Sequence, residues 1–140
     1  MSETVLPDVV LALQRATHHT LRALGAALAD LNLSAAEINA LANLGDGGTL
    51  SVRQLSERTG TRASTLTGLL DRLESRGYLA RELDPADRRS FRLPLTETGQ
   101  AVAARVRAAI ADLERDTLSR LDATQLAGYH AVVTALQEVC

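Results

Sequence analysis

Between Ser51 and Gly77 the chain spells out two helices joined by a single glycine-bearing turn, and directly behind them the hydrophobic period changes. Ser51 with Gln54 three residues on is a capping box, in which each side chain satisfies the other residue's free N–H. Val52 and Leu55 are expected to point inward. Thr59-Gly60 closes this helix, because glycine accepts the left-handed conformation that ends many helices. The next helix is expected from Thr61 to about Arg76, with Leu66, Leu69, Leu70 and Leu73 as its buried face and Gly77 as its terminator. After Gly77, residues Tyr78–Leu83 and Ser90–Leu95 read as two short strands around the polar turn Asp84-Pro85-Ala86-Asp87-Arg88-Arg89, which makes a β-hairpin. Pro94 limits the second strand to an edge or strand-end role.

The flanks are helical. From about Pro7 to Asp30, Val10, Leu13, Thr17, Leu21, Leu24, Leu28 and Leu31 recur at three- and four-residue steps, with Pro7 suited to a first turn and Asn32 breaking the pattern. Ser34 and Glu37 form another capping box ahead of Ile38, Leu41 and Leu44. Gly45-Asp46-Gly47-Gly48 then makes a loop, and Thr49-Leu50 is long enough only for a very short strand. Thr96, with Glu97 in the first turn, caps a long helix carrying Val102, Val106, Ala109, Ile110, Leu113 and Leu118. Asp122 caps a last helix carrying Leu126, Val132, Val133, Leu136 and Val139. With Tyr78, Phe91 and Tyr129 as its only aromatics, the chain must build its core from Leu, Val, Ile and Ala, which favours helices. The fold class is mainly α with a small β-hairpin wing. At 140 residues the chain fits one domain, or a small domain with helical extensions.

Charge is distributed unevenly. The formal net charge is −2, yet Ser51–Arg92 holds nine arginines against six carboxylates, while the remainder holds six arginines against eleven. A basic module between acidic helical flanks suits a segment that meets nucleic acid. No apolar run approaches the ~18 residues that span a bilayer, and the N-terminus MSETVLPDVV does not have the pattern of a signal peptide. The lone cysteine, Cys140, has no partner for an internal disulfide and reads as an ordinary thiol, so a cytoplasmic location is expected. No GxSxG, P-loop, zinc-ligand cluster or dinucleotide fingerprint appears, so an enzyme is not expected. Adjacent His18 and His19 point about 100° apart on a helix, unlike the i, i+4 pair of a metal site, so neither metal nor cofactor is expected.

Two helices about a glycine turn with a basic hairpin behind them make a winged helix-turn-helix. Its first helix props its second, and the second enters the major groove, which is about 12 Å wide. Thr61, Arg62, Ser64, Thr65, Gly68 and Arg72 are the expected outward positions of that second helix. Arg62 is placed for a bidentate guanine contact and Arg72 for a phosphate. On the hairpin, Arg88 and Arg89 suit the electronegative minor groove, and Asp87 is expected to orient a neighbouring guanidinium. Arg53, Arg58 and Arg76 read equally as phosphate contacts or solvated charges, and Arg81 and Arg92 have Glu82 and Asp84 as neighbouring partners. The alternative is a winged-helix module for protein contacts without DNA binding, which has no need of two tip arginines beside a basic helix.

The stretches TLSVRQLSERTGTRASTLTGLLDRLESRGYL (49–79) and RGYLARELDPADRRSFRLPLTETG (76–99) resemble the helix-turn-helix and wing of the MarR family of bacterial regulators. The D-P-x-D-R-R wing followed by L-x-L-T-x-x-G is the specific part, and helix order agrees along nearly the whole chain. The resemblance implies a homodimer with an N-terminal dimerisation helix (1–33), a winged helix-turn-helix DNA-binding domain (34–96) and C-terminal dimerisation helices (97–140). It further implies a pseudo-palindromic operator, usually repression, and release by an anionic phenolic ligand. Carried over by position, Ser64, Thr65 and Thr67 match the polar positions of the recognition helix, and Asp87 and Arg89 match the wing pair. Gly68 departs from the family, many of whose members have arginine there. It costs roughly 1 kcal/mol of helix stability relative to alanine, so either a backbone comes close at that point or base readout is weaker. Arg15, His18, His19, Arg22, Asn39 and Asn43 are candidate polar groups for an effector pocket between dimer helices and DNA lobes. The absence of Trp sets the chain apart from the urate-responsive branch.

Overall fold

A computed structural model describes residues 8–87 and 89–139. Pro7, Arg88 and Cys140, each assigned a place above, lie outside the described residues. Helix α1 spans Val9–Ala27 and is followed by a single 3-10 turn, Ala29–Leu31. Next come α2 (Ala35–Leu44), α3 (Val52–Thr59) and α4 (Ala63–Ser75). The hairpin strands are β1 (Glu82–Leu83) and β2 (Phe91–Arg92), and the chain continues with α5 (Glu97–Leu118) and α6 (Ala123–Val139). The residues divide into two units, Met1–Ala109 and Ile110–Cys140.

In the first unit the starts of α2 and α3 follow from capping boxes. Ser34 Oγ accepts the Glu37 N–H at 3.1 Å, while Glu37 Oε1 accepts the Ser34 N–H at 3.0 Å. Ser51 and Gln54 repeat the exchange at 3.1 and 2.9 Å. Asn32 adopts φ +50°, and this left-handed residue separates the 3-10 turn from α2. Ile38, Leu41, Leu55, Leu66, Leu70, Leu73, Leu93 and Val106 are the largest fully buried side chains, so the core lies where α2, α3 and α4 meet the base of the hairpin and the first half of α5. Close packing of α2 on α5 is enforced at Gly45, where a Cβ would lie 2.8 Å from Ala103 Cβ. Leu24 is the only buried residue of α1 and Leu28 is buried just beyond it, so the rest of the apolar stripe foreseen there is at best partly covered within the described chain. Val10 is exposed, and Leu13, Leu21 and Leu31 are half-buried.

The ladder is shorter than the two six-residue strands foreseen. Glu82 pairs with Arg92 and Leu83 with Phe91, and an isolated bridge joins Leu79 to Leu95. Between them the Pro94 carbonyl accepts the Ala80 N–H at 3.1 Å, so proline serves as an acceptor where it cannot donate. The short strand foreseen at Thr49-Leu50 is reduced to one bridge, Ser51 to Arg92, and one hydrogen bond from the Leu93 N–H to the Leu50 carbonyl at 2.9 Å.

Thr96 anchors the start of α5. Its hydroxyl accepts the Gly99 N–H at 3.0 Å and donates to the Gly77 carbonyl at 2.6 Å. Gly99 is required by packing, since a Cβ there would lie 2.7 Å from the Tyr78 carbonyl carbon and closer still to its oxygen. The second unit opens its helix with another reciprocal cap: Asp122 Oδ1 accepts the Gln125 N–H at 2.8 Å, and the Asp122 N–H reaches Gln125 Oε1 at 3.0 Å. No residue of α6 is buried, and Tyr129, Val132 and Val139 are exposed.

Candidate nucleic-acid interface

The turn between α3 and α4 is held by side chains. Gly60 takes φ +70°, and its N–H bonds to the Ser56 carbonyl at 3.0 Å. Ser56 Oγ donates to the Thr61 carbonyl at 2.6 Å, and the Thr61 N–H donates to Thr59 Oγ1 at 3.2 Å. Helix α4 therefore begins later than the sequence pattern indicates. Thr61 is a half-buried turn residue rather than a helical one, and Arg62 is the N-cap, its carbonyl accepting the Thr65 and Leu66 N–H groups at 3.0 Å each. Unlike α2 and α3, α4 has no side-chain cap at its start. Its first N–H groups thus remain open to an outside acceptor.

The helix is positioned by its buried face of Leu66, Leu69, Leu70 and Leu73, as foreseen. Arg62, Ser64, Thr65, Thr67, Gly68 and Arg72 are exposed. Thr67 Oγ1 donates to the Ala63 carbonyl at 3.2 Å, which still leaves its acceptor lone pairs available. Neither Arg62 nor Arg72 forms an ion pair with any described residue.

The remaining arginines of the module are largely committed. Arg76, at the C-cap of α4, is bound on several sides: Nη1 donates to the Asn32 carbonyl at 3.0 Å and to Glu37 Oε2 at 3.2 Å, and Nη2 donates to the Leu31 carbonyl at 2.5 Å. Its guanidinium also lies 5.1 Å from the Tyr78 ring centre. Burial by itself would raise the Glu37 carboxyl, but hydrogen bonds from Ser34 and the charge of Arg76 outweigh it and hold the group below its ordinary range. Arg81 reaches back to α4, at 2.8 Å from Glu74 and 2.6 Å from Asp71, rather than to Glu82 or Asp84 as local spacing suggests. The bond to Glu74, followed by that to Asp71, raises the guanidinium above its ordinary range. One cation thereby offsets part of the negative charge of two carboxylates on the helix that would otherwise repel phosphate. Arg53 pairs with Glu57 at 3.3 Å, Arg58 with Asp46 at 3.5 Å and Arg92 with Asp84 at 3.7 Å.

At the hairpin tip the acids brace the backbone. Asp84 Oδ1 accepts the Ala86 N–H at 2.9 Å, and Asp87 Oδ1 accepts the Arg89 N–H at 3.0 Å. Asp87 thereby holds the amide of Arg89, and it forms no ion pair with a guanidinium among the described residues. An aspartate oxygen reaches the amide two residues on more readily than a long side chain folds back to meet it. Arg89 is exposed and forms no ion pair among the described residues.

The six effector candidates do not converge on a visible site. Arg15, His18, His19 and Arg22 are exposed on α1, as is Asn39 on α2, and Asn43 is half-buried. Asn43 Nδ2 donates to the Asn39 carbonyl at 2.8 Å and to its Oδ1 at 3.2 Å, so the two amides engage each other. A cleft of about 390 Å³ lies instead among Leu44, Gly47, Thr49, Pro94, Leu95 and Gln100, and none of the six candidates lines it. Among the described residues no three His, Cys, Asp or Glu side chains are grouped to hold a metal, and no helix is long and apolar enough to cross a membrane.

Three features were missed by sequence reasoning: the Arg81 clamp on Asp71 and Glu74, the Ser56–Thr61 lock on the turn, and the Asp84 and Asp87 braces. The braces had a signal, since each acid stands two residues before the amide it holds. The clamp had none, because its partners are seven and ten residues away across a change of secondary structure.

Two helices about a braced turn, a hairpin and a following long helix define a winged helix-turn-helix. Residues 29–90 match the family model described as MarR family. PecS of Dickeya dadantii, a helix-turn-helix-type transcriptional regulator, is 40% identical over 101 residues, covering 70% of this chain and 61% of PecS. The chain spans roughly half the length of the curated relatives it matches. In fold it resembles NadR in complex with 4-hydroxyphenylacetate, with a TM-score of 0.84 at 18% identity over 100% of this chain and 99% of that one. It also resembles a mutant MarR from E. coli complexed with operator DNA, with a TM-score of 0.73 at 23% identity, covering 92% and 94% of the two chains. These likenesses support a MarR-family regulator, with the family match carried by residues 29–90.

Proposed function

We propose that this protein is a homodimeric, sequence-specific DNA-binding transcriptional regulator. It acts as a repressor on a pseudo-palindromic operator and is released by a small anionic phenolic ligand. One observation carries the reading. Within the winged module Arg62, Arg72 and Arg89 are exposed and have no acidic partner among the described residues, whereas Arg76 and Arg81 are fully engaged. An unpaired guanidinium beside an uncapped helix start is suited to phosphate and base edges.

In this reading Arg62, Ser64, Thr65 and Thr67 meet the major groove, with Thr61 supporting the turn behind them. Arg72 meets a phosphate. Arg88 and Arg89 enter the minor groove from a tip shaped by Asp87. Residues 34–96 form the DNA-binding domain. The helices of 1–33 and 97–140 interlock with those of a second copy, which covers the apolar positions of α1 and α6 left exposed in one chain. Arg15, His18, His19, Arg22, Asn39 and Asn43 supply polar groups to an effector site completed in the dimer. That NadR was solved with 4-hydroxyphenylacetate supports the ligand class. The protein acts in the cytoplasm, without cofactor and without catalysis.

The test is fluorescence anisotropy with duplexes selected from a randomised pool, repeated over a salt series. Log affinity should fall linearly with log salt, and sedimentation should give a dimer at micromolar concentration. Failure to enrich any duplex, with no salt-dependent binding, would leave the protein-interaction module as the surviving reading.

A further inference from the structure

We infer that Gly68 is a specificity-determining residue of α4, where the absence of a side chain lets the helix backbone pack directly against a base-pair edge. The inference rests on the DNA-binding reading above and identifies the feature of the site that is read. Five glycines elsewhere in the first unit have reasons internal to the chain, and Gly48 belongs to the loop between α2 and α3. Gly45 and Gly99 are hemmed in by Ala103 and Tyr78, and Gly47, Gly60 and Gly77 adopt positive φ. Gly68 has neither reason. It sits in the middle of α4, exposed, without a positive φ. A Cβ built on it would meet only Arg72 Nη1, at 3.7 Å, which is ordinary contact with the movable end of a long side chain.

Alanine would therefore fit the folded chain and would favour the helix. Nothing among the described residues calls for glycine at this position, so a reason for it would lie outside the chain. Gly68 stands one helical turn after Ser64 and one turn before Arg72, on the exposed side opposite the leucine face. A helix with side chains is about 10–12 Å across and the major groove about 12 Å wide, so a missing Cβ on the leading face sets how far the helix descends. Glycine is suited to close approach of a backbone to a ligand. Gly25 in α1 and Gly128 in α6 also face open space, and both lie on helices assigned above to the contact with a second copy.

The experiment compares wild type, Gly68→Ala and Gly68→Ser on two probes: the duplex that wild type enriches from a randomised pool, and a scrambled duplex of equal length. Gly68→Ala should bind the selected duplex about ten-fold more weakly and the scrambled duplex within roughly two-fold of wild type, because a lost base-edge fit does not touch the phosphate contacts. Gly68→Ser should lose at least as much. The slope of log affinity against log salt should not change, and the melting temperature of Gly68→Ala should rise by roughly 2–5 °C. Equal binding of the selected duplex by wild type and Gly68→Ala overturns the inference, as does equal weakening on both duplexes. A lowered melting temperature overturns it too, by showing that the fold itself needs the glycine. If wild type enriches no duplex at all, the DNA-binding reading fails first and the inference falls with it.

Discussion

Arg72 and Arg76 stand one turn apart at the end of α4, yet they belong to different parts of the molecule's chemistry. Arg76 is bound to two carbonyls and a buried carboxylate and is covered by Tyr78 on one side. Arg72 is exposed and meets no acid among the described residues. The same contrast holds between Arg81, clamped on Asp71 and Glu74, and Arg89 at the wing tip. Residue type does not separate a scaffold arginine from an interface arginine. The presence of fixed acceptors does, because a guanidinium already holding its acceptors gains little from a phosphate.

Substitution should pull the two groups apart. The largest effect is expected for Arg76→Ala, which strands the buried Glu37 carboxylate and two carbonyls and should cost roughly 2–4 kcal/mol in urea unfolding. Arg89→Ala should behave in the opposite way, weakening binding to the selected duplex by roughly 1–3 kcal/mol with an unchanged melting temperature. If Arg89→Ala unfolds the protein instead, the division between the two groups is wrong. Arg72→Ala should weaken binding to selected and scrambled duplexes alike and lower the salt slope by about one, as loss of one phosphate contact requires.

Acid sharpens the scaffold side. The Glu37 carboxyl lies below its ordinary value of 4.5 in the folded protein, so its contribution is present above that value and is lost as pH falls through the lower, folded one. A urea series across this range should show stability falling with acidity, and Glu37→Gln should be less steep there. The smallest effect is expected for Arg105→Ala. This residue forms a fork with Asp30 at 2.6 and 3.0 Å, but both groups face solvent, so the midpoint of urea unfolding should hardly move.

Legibility in the sequence followed the range of the interaction. The capping boxes at Ser34 and Ser51 and the leucine face of α4 were all readable, since each depends on residues within a few positions. The hairpin was readable in place but overestimated in length. Alternation marks where a strand is allowed, whereas the ladder is interrupted at Pro94, which has no N–H to donate, and gives way to the acid-braced turn after Asp84 with its register unchanged. In the candidate site the exposed set on α4 was readable from helical period. The placement of Thr61 in the turn was not, because Ser56 competes for its carbonyl from the preceding helix.

By itself the sequence determined the helices, most of their starts and stops, the order of turn, reading helix and wing, and the excess of arginine in that module. Only the tertiary structure decided which arginines are occupied. Arg76 finds its partners 39 to 45 residues away and Arg105 finds Asp30 at a separation of 75, distances over which no local pattern in the chain can signal a contact. Caps and periods are written within one turn of helix, whereas the pairing of a charge is settled by whatever the folded chain brings beside it.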